Sequence, residues 1–343
     1  MMQRILILVV FLYIALLITS CKNDNRTANS DTVPLELTLL RFEKDLFNCE
    51  AESIDEDLIK LKKKYGDFFD LFFYQITRLG TSDAKMMAER VVQFIADTNL
   101  RAVYRKTGDV FGDFELEKKE LENAFREYSV HFPEYQIPQI VTLISAFSYP
   151  IVVDSSTLGI SLDMYLGADY HYYSTLDPPL PYFLRRKMQK DYLVADAMRG
   201  WLESDFAIDE SNAKMIEMML SQGRLLCVLD EILPETHDTL KTGYSAIQLE
   251  WCRANEASIW SFFIENKLLF SDDPNLLQKY VSDGPTTNGF PAESPGNIGK
   301  FAGWQIIKSY LKNNKQVSLK DLMNEKDLMK VFQQSKYKPA KNN

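Results

Sequence analysis

The segment from Ile137 to Gly167 constrains the fold most strongly, because its residue pattern differs from the pattern on either side. Runs rich in β-branched residues lie at Ile140–Ile144, Ile151–Val153 and Ile160–Leu166, and turn-forming residues separate them. Such runs predict short strands joined by turns, here a small β-meander. The flanking segments show helical periodicity, so the sequence predicts an α+β protein that is mainly α with one small sheet.

Helical patterns occupy most of the remaining chain. Ser53 and Glu56 fit a capping box, which begins a helix that Gly66 ends. Further helices are predicted at 68–79, 83–97 and 113–131 before the sheet, and at 186–203, 211–233, 245–268, 274–282, 296–312 and 318–333 after it. Since no internal repeat or linker interrupts this pattern, residues 35–343 are predicted to form a single globular domain.

An apolar run from Ile5 to Ile18 follows Arg4, the single charged residue among the first twenty. A helix formed by this run would span about 21 Å, which is shorter than the ~30 Å hydrocarbon core of a bilayer. Such a run is typical of a signal peptide. Residues Leu17–Cys21 resemble the lipobox of bacterial lipoproteins, in which the cysteine is diacylated and becomes the mature N-terminus. The alternative is a cleaved secretory signal followed by an incidental cysteine.

These features predict how the chain is divided and where it is located. Residues 1–20 are predicted to be the lipoprotein signal peptide, residues 21–34 a flexible polar tether, and residues 35–343 the folded domain. The lipid on Cys21, and not a basic surface, would hold the acidic mature chain to a membrane of the cell envelope. The sequence does not decide between the inner and the outer membrane.

Charge and histidine content argue against several classes of function. The chain has 39 Lys and Arg against 48 Asp and Glu, a net charge of −9, whereas nucleic-acid binders cluster cations. Its three histidines are His131, His171 and His237. The nearest two are too far apart in sequence for the H-E-x-x-H zinc motif, and no serine lies in a G-x-S-x-G motif. We therefore predict no nucleic-acid partner, no metal, no cofactor and no catalytic residue.

Beyond Cys21 the chain has three cysteines, Cys49, Cys227 and Cys252. An odd number does not form a complete disulfide framework, so the hydrophobic core must stabilise the domain. Cys227 and Cys252 lie in apolar helical stretches, which favours buried thiols over a disulfide bond.

Three glycines, Gly296, Gly299 and Gly303, fall on one face of the predicted helix 296–312. Ser294 as N-cap and Pro295 at the first helical position would begin this helix. Gly299 and Lys300 do not fit a phosphate-binding loop, which needs a glycine where Ser294 stands. A face of glycines lets a neighbouring helix approach closely, so we predict a packing contact here.

Two predicted helices carry amides on their apolar faces. Gln222, beside Gly223, lies near the centre of the apolar stripe of helix 211–233. Gln248 and Asn255 lie on the stripe of helix 245–268, together with Ile247 and Trp251. One interpretation is that these amides satisfy buried backbone groups. The other is a polar pocket lined by Gln222, Gln248, Asn255 and Trp251.

A run of aromatic residues, Tyr170, His171, Tyr172 and Tyr173, precedes the proline-rich segment 177–181. Aromatic side chains on a stiffened loop can stack on a ligand or a partner protein. They can equally cover the edge of the core. Both interpretations are kept, and the run is a candidate contact loop.

Five segments in fixed order resemble one known family. They are Arg41–Phe47, Leu166–Tyr170, Gln248–Glu256, Gly284–Thr287 and Ser294–Gln305. Together they resemble the gliding-motility-associated lipoproteins of the GldB type from Bacteroidetes. The resemblance implies an envelope lipoprotein that supports surface gliding and the associated protein-secretion machinery. It also implies contact with other gliding or secretion proteins, and no established reaction or cofactor.

This family is in turn distantly similar to zincin-type metallopeptidases, in which a small sheet precedes a helix bearing H-E-x-x-H. The corresponding segment here, Val194–Arg199, contains no histidine, and Gln222 stands where a glutamate ligand would precede Gly223. An amide is a poor substitute for a carboxylate ligand of zinc. The similarity therefore implies a zincin-like fold with a degenerate active site, a pseudoenzyme. Two alternatives stay open: a peptidase-like hydrolase with an unrecognised site, and a solute-binding lipoprotein.

Overall fold

The computed structural model describes residues 34–208 and 211–339. The predicted signal peptide, Cys21 and the tether as far as residue 33 lie outside these described residues. Within them the protein is mainly helical with a small sheet, as the sequence predicts. None of the described helices has the length and apolar character needed to cross a membrane.

Helices make up most of the described chain, and four short strands are interspersed among them. The strands are β1 (Leu39–Arg41), β2 (Gln139–Leu143), β3 (Ile151–Asp154) and β4 (Thr157–Ser161). The α-helices are α1 (Phe42–Phe47), α2 (Ile54–Tyr65), α3 (Asp67–Asp70), α4 (Ala84–Ala96), α5 (Thr98–Phe111), α6 (Glu115–His131), α7 (His171–Thr175), α8 (Tyr182–Arg185), α9 (Leu193–Asp205), α10 (Met215–Ile232), α11 (Asp238–Thr242), α12 (Ala246–Ala254), α13 (Glu256–Glu265), α14 (Pro274–Val281), α15 (Ile298–Asn313), α16 (Leu319–Asn324) and α17 (Leu328–Ser335). A π-helical segment, Leu71–Ile76, extends α3, and 3-10 turns lie at Leu162–Met164 and Lys190–Tyr192.

The sheet is mixed, and the predicted meander is wrong. Its strand order is β1-β2-β4-β3, with β1 parallel to β2, β2 parallel to β4, and β3 antiparallel to β4. Every residue of β4 and all but the first of β2 are buried, whereas β3 is half-buried throughout. Strands buried on both faces suit the interior of a helix-covered parallel sheet, and a half-buried strand suits its edge. The sequence therefore locates β2 and β3 correctly, whereas the third predicted run, Ile160–Leu166, shares only two residues with β4 and continues into a 3-10 turn. The sequence also misses the three-residue β1 and the parallel pairing of β2 with β4.

Several helix boundaries agree with the sequence and others do not. Helix α2 ends at Gly66, where φ is +54°, as predicted. The predicted capping box at its start is wrong, because the Ser53 hydroxyl donates to Asp57 at 2.8 Å and makes no capping bond. The predicted helix 245–268 is divided at Asn255, whose side chain donates to the Trp251 carbonyl at 2.9 Å. Helix α5 was not predicted, and 318–333 forms two helices, α16 and α17.

Helix α15 begins at Ile298, so the predicted start at Ser294 and Pro295 is wrong. Asn297 occupies the N-cap with φ +56°, in the left-handed region. The Pro295 carbonyl is held elsewhere, because it accepts from the Thr287 hydroxyl at 2.7 Å. The segment before α15 is thus a loop fixed to residues 284–287.

The predicted close contact is confirmed for Gly299 and Gly303, whereas Gly296 lies in the loop before α15. A Cβ atom added to Gly303 would lie 1.7 Å from the Met219 carbonyl oxygen of α10, and one added to Gly223 would lie 2.4 Å from the Gly303 carbonyl. A Cβ at Gly299 would meet Val281 at 2.7 Å. The backbones of α10 and α15 are therefore in direct contact, which only glycine permits. Cys227 and Cys252 are free and buried, as predicted.

Replacing Gly303 by alanine should destabilise the domain, because the new methyl group cannot fit unless α10 and α15 separate. We expect the free energy of unfolding to fall by about 3 kcal/mol, measured by urea unfolding followed by circular dichroism. The control is Gly108→Ala in α5, where an added Cβ meets nothing within 4 Å. There alanine should raise stability by about 0.5–1 kcal/mol. Equal effects at the two positions would contradict the contact.

Candidate functional site

A cavity of about 390 Å³ lies beside the α10–α15 contact. We call it the polar cleft, and it is lined by three cationic and three acidic side chains together with the amides Gln222 and Asn297. The charged residues are Lys187, Asp196, Arg199, Glu203, Asp283 and Lys300. Helices α9, α10 and α15 and the loop after α14 each contribute to this lining.

Backbone contact between two loops brings Asp283 to the start of α15. A Cβ added to Gly296 would lie 2.3 Å from the backbone nitrogen and oxygen of Gly284, so the two glycines allow the loops to touch. The Thr287 hydroxyl bond to Pro295 fastens the same pair of loops. As a result, the Asn297 amide nitrogen donates to the Asp283 carboxylate at 3.4 Å.

Asp283 lies between two lysines. Lys187 Nζ is 2.5 Å from its Oδ2, and Lys300 Nζ is 3.6 Å from its Oδ1. The ammonium group of Lys300, supported by that of Lys187, holds the pKa of Asp283 well below its ordinary value, although partial burial opposes this. Burial lowers the pKa of Lys300 to about 8, against the opposing effect of Asp283. Asp283 therefore stays ionised and carries most of the charge balance for the two lysines.

Lys300 enters the cleft across an aromatic ring. Its ammonium nitrogen lies 5.1 Å from the centre of the Tyr244 ring, a distance at which a cation is attracted to the ring face. The Tyr244 hydroxyl donates to the Asn297 carbonyl at 2.6 Å. Tyr244 thus supports both the lysine and the N-cap residue of α15.

Helix α9 contributes a second charged pair to the polar cleft. Burial raises the pKa of Asp196, and the positive charge of Arg199 opposes the shift. The Tyr165 hydroxyl donates to Asp196 Oδ2 at 3.2 Å, and the Arg199 guanidinium donates to the Lys241 carbonyl. These bonds fix both side chains to neighbouring elements.

The two amides of the polar cleft each have a hydrogen-bonded nitrogen and an oxygen without a partner. Gln222 Nε2 donates to the Val281 carbonyl at 3.0 Å, and its Oε1 is buried without a hydrogen-bond partner. Asn297 Oδ1 is likewise buried and unpartnered. Since the nitrogens face acceptors, flipping either amide would oppose two oxygens. Two acceptor oxygens therefore lack donors in this region.

The structure separates the four residues of the predicted pocket. Gln222 lines the polar cleft, and Gln248 lines a small adjoining pocket that also includes Lys187, Asp283 and Lys300. Gln248 is fully engaged: Oε1 accepts from Ser245 N at 3.0 Å, and Nε2 donates to the Pro285 carbonyl at 3.1 Å.

The other two residues of the predicted pocket lie outside both cavities. Asn255 terminates α12, and the Trp251 ring packs against Phe290 with centroids 6.0 Å apart. Ile247, expected on the buried stripe, is 68% exposed. The break at Asn255 divides the predicted helix into α12 and α13, so its residues do not form one continuous stripe.

The predicted contact loop is in part a core element. Tyr173 is fully buried; its hydroxyl donates to the Asp163 carbonyl at 2.7 Å and accepts from Leu166 N at 2.9 Å. Tyr170 and Tyr172 are half-buried, and the Tyr172 hydroxyl donates to Asn99 at 2.9 Å. Only His171 of the four is exposed. The buried tyrosine anchors the segment, which leaves His171 as the residue most accessible to a partner.

Sequence reasoning missed most of the charged residues of the cleft. Lys300 was considered only as part of a phosphate loop, and Asp283, Asn297 and Lys187 were not singled out. A usable signal was present, since Lys300 is the one charged side chain in the first two turns of α15, which are otherwise apolar. A lysine on such a helix must find a partner or a cavity.

The described residues offer no constellation for zinc. Between 34 and 339, apart from 209 and 210, no group of three or more His, Cys, Asp or Glu side chains is arranged to hold a metal ion. His237 caps α11 by accepting from Thr239 N, and burial lowers the pKa of His131.

The polar cleft combines three cationic and three acidic side chains with two amide oxygens that have no hydrogen-bond partner. This arrangement suits binding of a polar ligand.

A family model for gliding motility protein GldB matches residues 22–339. The chain belongs to the GldB family. No curated protein and no solved structure matches it. Membership in this family identifies a gliding motility protein, and the family name points to a lipoprotein of the envelope.

In this GldB-family chain, replacing Asp283 by asparagine should leave Lys187 and Lys300 without their shared countercharge. We expect a loss of about 2 kcal/mol in the free energy of unfolding at pH 7, less than for a fully buried pair because the Asp283 side chain is 42% exposed. Asp272→Asn, at an exposed position, is the control and should change stability little.

The same variant predicts a pH dependence. A carboxyl group whose pKa is lowered on folding stabilises the protein at pH values above its pKa in the unfolded chain, about 4. This stabilisation is lost as the pH falls from there towards the pKa in the folded state. The difference between wild type and Asp283→Asn should therefore be present at pH 5 and shrink below about pH 4. Thermal unfolding across this range measures it, and an undiminished difference at pH 3 would disprove the assignment.

Proposed function

We propose that this GldB-family chain is a non-catalytic envelope lipoprotein, anchored through Cys21, that supports gliding and the associated protein-secretion machinery. It acts by contact with other envelope proteins of these systems. Family membership supports the gliding role, and the arrangement of the polar cleft supports the absence of catalysis.

The observation that carries the non-catalytic proposal is how the charged groups of the cleft are paired. Asp283 holds Lys187 and faces Lys300, Asp196 accepts from Tyr165, and Arg199 donates to a backbone carbonyl. Covalent catalysis needs a nucleophile beside a base that activates it. Here the groups neutralise and position one another, as in a structural or binding site.

A degenerate zincin-like site is part of the proposal. In that hypothesis, α9 corresponds to the motif-bearing helix and α10 carries Gln222 at the position of the later ligand. Its support is that Asp196 of α9 and Gln222 of α10 line the same cavity. The rival hypothesis, a peptidase-like hydrolase, predicts a metal or an activated nucleophile at this place.

Elemental analysis discriminates between the two hypotheses. Protein purified without chelators should contain well below one zinc ion per chain, because neither Asp196 nor Gln222 has histidine ligands beside it to complete a site. Stoichiometric zinc, lost on replacing Asp196 by asparagine, would favour the hydrolase and contradict the proposal.

The anchor is tested by replacing Cys21 with alanine in the full-length protein. Without the lipid, nothing should hold the mature protein to the membrane. The protein should therefore move from the membrane fraction to the soluble fraction, and gliding should be lost. Cys49→Ala is the matched control, because Cys49 is a free thiol within the folded domain. It should leave both the membrane fraction and gliding unchanged. A Cys21→Ala protein that remains in the membrane fraction would refute the anchor.

A solute-binding role is the second candidate, and one observation favours it. The oxygens of Gln222 and Asn297 are buried without donors at a cavity large enough for a small molecule. A ligand would supply the missing donors. This role is compatible with a non-catalytic lipoprotein.

A further inference from the structure

The lining residues of the polar cleft include two amides whose oxygens are buried without a hydrogen-bond partner, and a buried lysine. We propose that the cleft binds the carboxyl end of a peptide, with the terminal carboxylate at Lys300 and backbone N–H groups at Gln222 and Asn297. The proposal deepens the binding role of the same cleft and rests on that role, but it does not depend on the lipid anchor.

Gln222 Oε1 and Asn297 Oδ1 are hydrogen-bond acceptors without partners, so a ligand with N–H donors would satisfy them. Asn297 is only 5% exposed, and its Oδ1 has no partner, while its nitrogen is directed to Asp283. Gln222 is fixed in the same way by Val281. A buried acceptor without a donor is unfavourable, so a donor from the ligand restores what folding removed. Peptide N–H groups are donors of this kind.

Lys300 calls for an anion at the same place. Its nitrogen lies 3.6 Å from Asp283, which is longer than an ordinary N–H···O bond, whereas Lys187 contacts Asp283 at 2.5 Å. Lys187 makes the shorter contact with Asp283, and the ammonium group of Lys300, which has three N–H donors, keeps donors for a ligand. Lys300 also lies in the first turn of α15, where the helix dipole favours negative charge.

The charge balance of the cleft favours a carboxylate over a phosphate. Lys187, Arg199 and Lys300 face Asp196, Glu203 and Asp283, so the formal charges of the lining cancel. A doubly charged phosphate would be repelled by the three carboxylates of the lining. A singly charged carboxylate with neighbouring N–H donors would pair with Lys300 and with the amide oxygens. The end of a peptide carries one carboxylate and adjacent N–H groups. A volume of about 390 Å³ accommodates a few residues.

The test uses the full-length protein in detergent and two pools of random tripeptides, one with free carboxylates and one with amidated ends. The acid pool should raise the midpoint of thermal unfolding, because a ligand that binds only the folded state stabilises it. The amide pool should require at least a tenfold higher concentration for the same shift, since the charged hydrogen bond to Lys300 is lost. No shift with the acid pool, or equal shifts with both, would overturn the proposal.

Variants assign the effect to the cleft. Lys300→Met should weaken binding of the acid pool at least tenfold, and Gln222→Met about threefold to tenfold, because each removes one ligand contact while keeping side-chain length. Lys312→Met, an exposed position on the same helix, should bind as wild type. The Gln222 variant keeps the test decisive if Lys300→Met does not fold. Unchanged binding by a folded Lys300→Met, or by Gln222→Met, would overturn the assignment.

A third pool of twelve-residue peptides with random last three residues distinguishes the source of the ligand. Equal binding of the long and short acid pools indicates that the cleft accepts the carboxyl terminus of a protein. Binding of tripeptides alone indicates free short peptides. The Cys21→Ala test measures membrane fractionation. A negative result with the peptide pools would therefore not change the conclusion about the anchor.

Discussion

The rest of the structure depends on the direct backbone contact between α10 and α15. Gly223 and Gly303 meet there, and a Cβ on either would lie within 2.4 Å of the other helix. Because the two helix backbones touch, Gln222 on one helix and Asn297 with Lys300 at the start of the other are brought to one cavity. Close packing thus accounts for a mid-helix glycine, which is otherwise unfavourable, and it places the cleft at a rigid junction.

Several buried charged groups among the described residues are compensated by fixed partners. Arg224, 2% exposed and on α10, donates to the carbonyls of Leu322, Met323 and Glu325 at the end of α16. It satisfies backbone groups that a helix end leaves open. In the polar cleft the same principle holds for Asp283 and Asp196, but the amide oxygens and Lys300 are satisfied incompletely. The unpartnered oxygens of Gln222 and Asn297 belong to residues that line a cavity, and this is the physical basis for assigning ligand binding to the cleft.

Local patterns in the sequence predicted the features that depend on neighbouring residues. The helix end at Gly66, the strands β2 and β3 and the contact through Gly299 and Gly303 follow from turn chemistry and periodicity. The short β1 and the pairing of β2 with β4 depend on contacts between distant segments, so periodicity alone did not reveal them. For the site, Gln222 was found because a polar residue interrupted an apolar stripe. Asp283 and Lys187 lie in loops, where no periodicity marks a residue as buried.

We propose that this GldB-family protein works by binding other molecules and catalyses no reaction. Crosslinking in living gliding cells, followed by mass spectrometry, tests this most directly, because it reports the partners and the membrane face together. We expect crosslinks from the folded domain to other components of the gliding or secretion machinery, concentrated on residues around the polar cleft and His171. Crosslinks only between copies of this chain, in cells that glide normally, would contradict the account.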